Sequence, residues 1–167
     1  MAKAILQWKQ FGTVDDLKTG KLDKKEFANS EEAIYMYLCT KSLKTSKKVH
    51  IYKQNPLYIG RVYRTPLIEV LKDNLLGVLY EEMQEICAQD IRIRVASVKT
   101  STWSLRDKFS IIEGATCCLV HKTQPVLNTY CKTIYSKDFD MEVINKGYKQ
   151  PFEDKYICKV GEGIGID

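Results

Sequence analysis

The most regular hydrophobic pattern in the chain runs from Pro66 to Gln89. There Leu67, Leu71, Leu75, Leu79, Met83 and Cys87 recur every fourth residue, and Ile68, Leu76 and Ile86 widen the face. That spacing predicts a core helix over 66–89 with an acidic, solvated back. Thr65-Pro66 provides its start, as an N-cap followed by proline at the first helical position. Gly77 costs such a helix about 1 kcal/mol relative to alanine, so a kink or a split near Asp73-Asn74 is expected. Two shorter helices are expected upstream. Ala4, Ile5, Trp8 and Phe11 recur at helical intervals before Gly12-Thr13, and Ala33, Ile34, Tyr37 and Leu38 make an apolar stripe over about 30–43, with Glu31 and Glu32 in its first turn.

Alternation replaces this texture elsewhere. Val49 and Ile51 oppose Lys48, His50 and Tyr52, Gln54-Asn55-Pro56 ends that strand, and Leu57–Tyr63 pairs back against it. After Asp90, Ile91, Ile93 and Val95 alternate with Arg92 and Arg94. Further runs at 109–112, 115–121, 129–135, 141–144 and 156–160 are separated by turn signals such as Glu113-Gly114 and Gln124-Pro125. These runs predict four to six short strands, mostly antiparallel because the connections are too brief for crossover helices. The expected fold class is α+β: an N-terminal half mainly helical with one or two strands, and a C-terminal half forming a mostly antiparallel sheet packed on the 66–89 helix. The 167 residues suit a single domain, with 1–29 as a candidate mobile arm and 161–167 as a flexible tail.

Charge changes the picture more than composition does. The net charge of +5 is unevenly spread: residues 1–64 are strongly basic, residues 65–90 acidic and the remainder mildly basic. Between Ala33 and Ile68 there is neither Asp nor Glu, yet Lys41, Lys44, Lys47, Lys48, Lys53, Arg61 and Arg64 fall there with tyrosines among them. A positive field of this kind is answered by a polyanion, an acidic protein face or an anionic lipid surface. Tyr52 adds a planar surface for a base, and Arg92 and Arg94, on one face of their strand, extend the stripe if the strands adjoin. Glu81, Glu82 and Glu85 form the complementary acidic face, suited to contact between copies.

The remaining motifs carry less. Asp15 to Glu26 resembles a calcium-binding EF-hand loop, with Gly20 sixth and Glu26 twelfth, but Leu17 stands at the third ligand position and Lys18, Lys21, Lys24 and Lys25 crowd the cation. Cys117, Cys118, His121 and Cys131 invite a zinc reading, which fails on spacing because adjacent strand residues face opposite ways. The glycine run at 161–165 lacks the following helix that phosphate loops need. The six cysteines lack a secreted framework's spacing and suggest reduced, buried thiols. No apolar window approaches the ~18–20 residues of a membrane span, and no cofactor is expected. A cytoplasmic or virion-internal location follows, not a secreted one.

Size, basic charge and layout are similar to those of small matrix-type proteins of enveloped viruses. That similarity implies a non-enzymatic structural or assembly protein, a homo-oligomer that contacts nucleoprotein or an anionic membrane through its basic face. The alternative is a nucleic-acid-binding accessory or regulatory protein of silencing-suppressor type that builds no lattice. A third class, a small enzyme, would use Cys118 and His121.

Overall fold

The computed structural model describes residues 1–39, 55–87, 90–100 and 107–164. Six strands make one mixed sheet: β1 (Ala2–Thr13), β2 (Glu32–Cys39), β3 (Asn55–Tyr63), β4 (Ile91–Thr100), β5 (Met141–Gly147) and β6 (Lys155–Cys158). Their order across the sheet is β3-β2-β4-β1-β5-β6. All neighbouring pairs are antiparallel except β1 with β5, which is parallel. The helices are α1 (Val14–Lys18), α2 (Leu67–Asn74), α3 (Val78–Ile86) and α4 (Lys108–Thr123). None of the helices among the described residues is long and apolar enough to cross a membrane.

This arrangement overturns the expected division into a helical first half and a sheet-forming second half. Strands begin at the N-terminus, and both upstream segments expected to be helical, 4–11 and 30–43, contain strands instead. In β1, Ala2, Ala4, Leu6 and Trp8 face the core while Gln7 and Lys9 are exposed, a period of two that coexists in the sequence with the helical spacing. In β2 every residue from Ala33 to Leu38 is buried. Ile34, Met36 and Leu38 join the core beneath α4, and Ala33, Tyr35 and Tyr37 join the one beneath α1–α3. A strand covered on both faces shows no alternation, so a helical template matches it equally well.

The opposite error falls on 109–121, expected as strands and folded as α4. Asp107 caps this helix by accepting from the Ser110 amide at 2.7 Å, and Gln124 closes it in the left-handed conformation. Because α4 lies across the even face of the sheet, its residues from Ile111 to His121 are nearly all buried and its polar periodicity is weak. The 129–135 segment is turns, not a strand. The 66–89 pattern is helical but interrupted: α2 and α3 part at Leu75–Gly77, leaving Leu76 87% exposed.

The cysteines also differ from expectation, since Cys39 is bonded to Cys87 and Cys117 to Cys131, while Cys118 and Cys158 are buried thiols. The first bridge ties the end of β2 to the end of α3; the second ties α4 to the chain that leaves it. Reduction is expected to lower unfolding free energy by about 3 kcal/mol for the 14-residue separation and about 4 kcal/mol for the 48-residue one. Urea midpoints with and without dithiothreitol check this, and identical midpoints would refute it.

Candidate functional site

Strand β3 is an edge of the sheet, and the side chains around its midpoint build a polar cleft. It has a volume of about 260 Å³. Tyr58, Gly60 and Arg61 come from β3, Tyr35 from β2, Glu113 and Thr116 from α4, and Asn128 and Tyr130 from the chain beyond it.

Gly60 decides how β2 reaches this edge. It is paired with Tyr35, and a Cβ at Gly60 would lie 2.3 Å from the Tyr35 phenol carbon and oxygen. The missing side chain therefore lets the Tyr35 ring lie against β3, the use of glycine in a strand where another group must approach closely. Tyr35 and Tyr37 both accept from the Asn74 amide, at 3.1 and 3.0 Å. Burial pushes the phenols of Tyr35, Tyr37 and Tyr58 upward, with the nearby Arg61 charge opposing the shift at Tyr58. All three are neutral at physiological pH and available as hydrogen-bond donors.

The charged centre is a triad. Glu113 accepts from Arg61 Nη2 at 2.7 Å through one oxygen and from Lys137 Nζ at 3.2 Å through the other. The guanidinium also lies over the Phe109 ring, 5.1 Å from its centre and one helical turn before Glu113. Two cations and one carboxylate leave the group net positive. Asn128, 8% exposed, binds β3 as a further strand would: its side chain accepts from Ile59 N–H and donates to Ile59 C=O, both at 2.9 Å. Val126 and Leu127 extend this pairing to the carbonyls of Pro56 and Leu57.

The residues expected to bind a polyanion fare unequally. Lys41, Lys44, Lys47, Lys48, Tyr52 and Lys53 lie outside the described residues. Arg61 is in the cleft, where it is paired with Glu113 and not a bare surface charge. Arg64 is exposed beside its own neighbour, 5.2 Å from the Tyr63 ring centre. Arg92 is exposed, but Arg94 is only 4% exposed and donates to the carbonyls of Gln150 and, at 3.5 Å, Tyr148. Burial lowers its pKa, with Arg92 adding to the shift. These two arginines therefore form no shared outward stripe, because the loop after β5 covers one of them. Glu81, Glu82 and Glu85 are exposed on α3.

The other motifs are dispersed by the fold. In the EF-hand-like segment, Asp16 accepts from the Thr13 amide, Asp23 pairs with Lys72 at 2.8 Å and Glu26 with Lys9 at 3.8 Å, so their oxygens serve separate partners. Cys117 and Cys131 are spent on each other. The Cys118 thiol is pushed up by its hydrogen bond with Cys158 and by burial, which disfavours the nucleophilic thiolate. His121 is engaged with the Lys132 carbonyl at 3.1 Å and lies 3.4 Å from Glu162. A larger cavity of about 450 Å³ between α1 and α3 places Lys18 against the Tyr80 hydroxyl, with Asp15 and Gln84 on its wall.

Tyr58, Glu113, Asn128 and Tyr130 are the site residues that sequence reasoning missed. Two signals pointed to them: a glycine inside a strand pattern at Gly60, and Glu113 as the only acid between Asp107 and Asp138. Comparison with protein-family models, with curated proteins and with solved structures found no match to this chain.

Proposed function

We propose that this cleft receives a phosphodiester group and that the protein is a nucleic-acid-binding accessory protein. The observation that carries the reading is the net positive group of Arg61, Lys137 and Glu113 in the cleft that Tyr58 and Asn128 also line. Binding a phosphate asks a protein for positioned donors and for cations that answer the charge on its oxygens. Arg61 suits the second task, because a guanidinium can give parallel hydrogen bonds to two oxygens of one phosphate. Lys137 adds a point charge.

Glu113 tempers this attraction. A bare carboxylate repels a phosphate, and its two oxygens, taken by Arg61 at 2.7 Å and by Lys137 at 3.2 Å within a net positive group, do not suit a divalent cation. Among the described residues no group of three or more His, Cys, Asp or Glu is placed to hold a metal ion. The lysine tract of residues 41–53 lies between β2 and β3 in the sequence, and its charge adds a sequence-independent attraction to the polymer.

The test is titration of end-labelled DNA and RNA, single-stranded and duplex, with the protein at rising salt concentrations. Salt-sensitive binding that leaves the labelled strands intact is expected. Binding to anionic vesicles in preference to oligonucleotides would favour the assembly reading, cleavage of the strands would call for an enzyme, and either result overturns the proposal.

A further inference from the structure

Tyr130 is placed differently from every other tyrosine of the cleft. Tyr35 and Tyr58 pack together with ring centres 6.3 Å apart, and Tyr37 meets Tyr35 edge-on, but the Tyr130 side chain is 63% exposed. It is nonetheless firmly held. Two residues before it, Asn128 is doubly hydrogen-bonded to Ile59 of β3, and the next residue, Cys131, is bonded to Cys117 of α4. The chain is thus stapled on both sides of an aromatic ring that stands in solvent at the rim of the cleft. The Lys137 ammonium lies 5.9 Å from the ring centre, and that same ammonium is 3.2 Å from Glu113. Ring, cation and carboxylate lie in sequence from rim to centre.

We infer that the nucleic acid enters as an unpaired strand, with one base stacked on Tyr130 and the adjoining phosphate drawn to Lys137 and Arg61. This rests on the reading of the cleft as a phosphodiester site and adds the class of ligand. A base in a duplex presents no free face to a side chain at the rim, whereas an unpaired base does, and every base has a π face that an aromatic residue can cover. The cavity of about 260 Å³ accepts a group the size of one nucleotide unit and not the breadth of a double helix. The stapling matters because a backbone already fixed in place loses little freedom when the base lands on the ring.

The experiment measures binding in EDTA, so that no turnover intervenes, of a fluorescent single-stranded oligonucleotide and of its duplex to the wild type, Tyr130→Ala and Tyr130→Phe. Single-strand binding is expected to be tighter than duplex binding, to weaken by about 5- to 150-fold in Tyr130→Ala, and to survive in Tyr130→Phe. Circular dichroism of the alanine variant checks that this exposed position leaves the fold intact. Wild-type single-strand affinity in Tyr130→Ala, or a preference for the duplex, overturns the inference. So does a wild type whose dimerisation, but not its oligonucleotide binding, is lost in Tyr130→Ala, because the ring would then serve contact between copies. The two readings fail separately. Salt-sensitive oligonucleotide binding that needs Arg61 and ignores Tyr130 sinks only the stacking, whereas the absence of binding to any oligonucleotide sinks the phosphodiester reading itself.

Discussion

Glu113→Gln is expected to tighten nucleic-acid binding by roughly fivefold, about 1 kcal/mol. The sign follows from the triad. Glutamine keeps the size of the side chain and an oxygen for the Arg61 hydrogen bond of 2.7 Å, so the cleft retains its shape. It loses the negative charge that opposes an incoming phosphate, and Arg61 and Lys137 face that phosphate with nothing ionic between them. Stability should fall by about 1–3 kcal/mol, because the Glu113 and Lys137 side chains are only 23% and 16% exposed and the substitution breaks two ion pairs at once. Arg61→Ala provides the contrast, with binding weakened. Fluorescence anisotropy checks both variants. A Glu113→Gln protein that binds like the wild type, or more weakly, would remove the role assigned to this carboxylate.

Trp8→Ala is expected to destabilise the protein by about 3–5 kcal/mol, enough to unfold a domain near the lower end of ordinary stability. Trp8 lies on β1, between β4 and β5, and is fully buried. Its ring packs 5.3 Å from that of Phe152, and its indole N–H donates to Asn145 Oδ1 at 2.9 Å. Asn145, itself buried, donates in turn to the Glu153 carbonyl at 3.0 Å, so the indole anchors both β5 and the turn leading to β6. Truncation opens a cavity and strands the Asn145 oxygen at once. Trp8→Phe separates the two costs, because it keeps most of the ring and loses only the donor, for about 1–3 kcal/mol. Urea denaturation followed by circular dichroism measures both. A Trp8→Ala midpoint close to that of the wild type would show that this network is not the anchor described.

The elements legible in the sequence are those with one wet face. The strand patterns at 57–63, 91–95 and 141–144 alternate because one row of each strand is less buried than the other over much of its length, and the 66–89 pattern reads as helical because α2 and α3 lie on the surface with Glu81, Glu82 and Glu85 outward. The misread elements are those that the fold covers most completely. β2 is buried on both faces and α4 nearly all round, so neither carries a polar period to reveal its geometry. β1 carried two periods at once, and its neighbours β4 and β5 selected the extended one.

The candidate site was less legible than the fold elements. Arg61 drew notice for its charge, but its partner Glu113 is 52 residues away and reads locally as a turn residue beside Gly114. The disulfides were hidden for a similar reason. Cysteines 48 and 14 residues apart match no framework spacing until β2 meets the end of α3 and α4 meets the chain beyond it.

By itself, then, the amino-acid order determined where charge and apolar surface lie along the chain: the basic tract, the acidic helix faces and the rows that must be hidden. Only the tertiary structure decided which way the hidden rows run and which distant groups share a cleft. Burying apolar surface rewards concealment without regard to direction, whereas a hydrogen bond or ion pair requires atoms within about 3 Å of each other, a condition that sequence neighbours could not meet here and that the packing of α4 on β3 did.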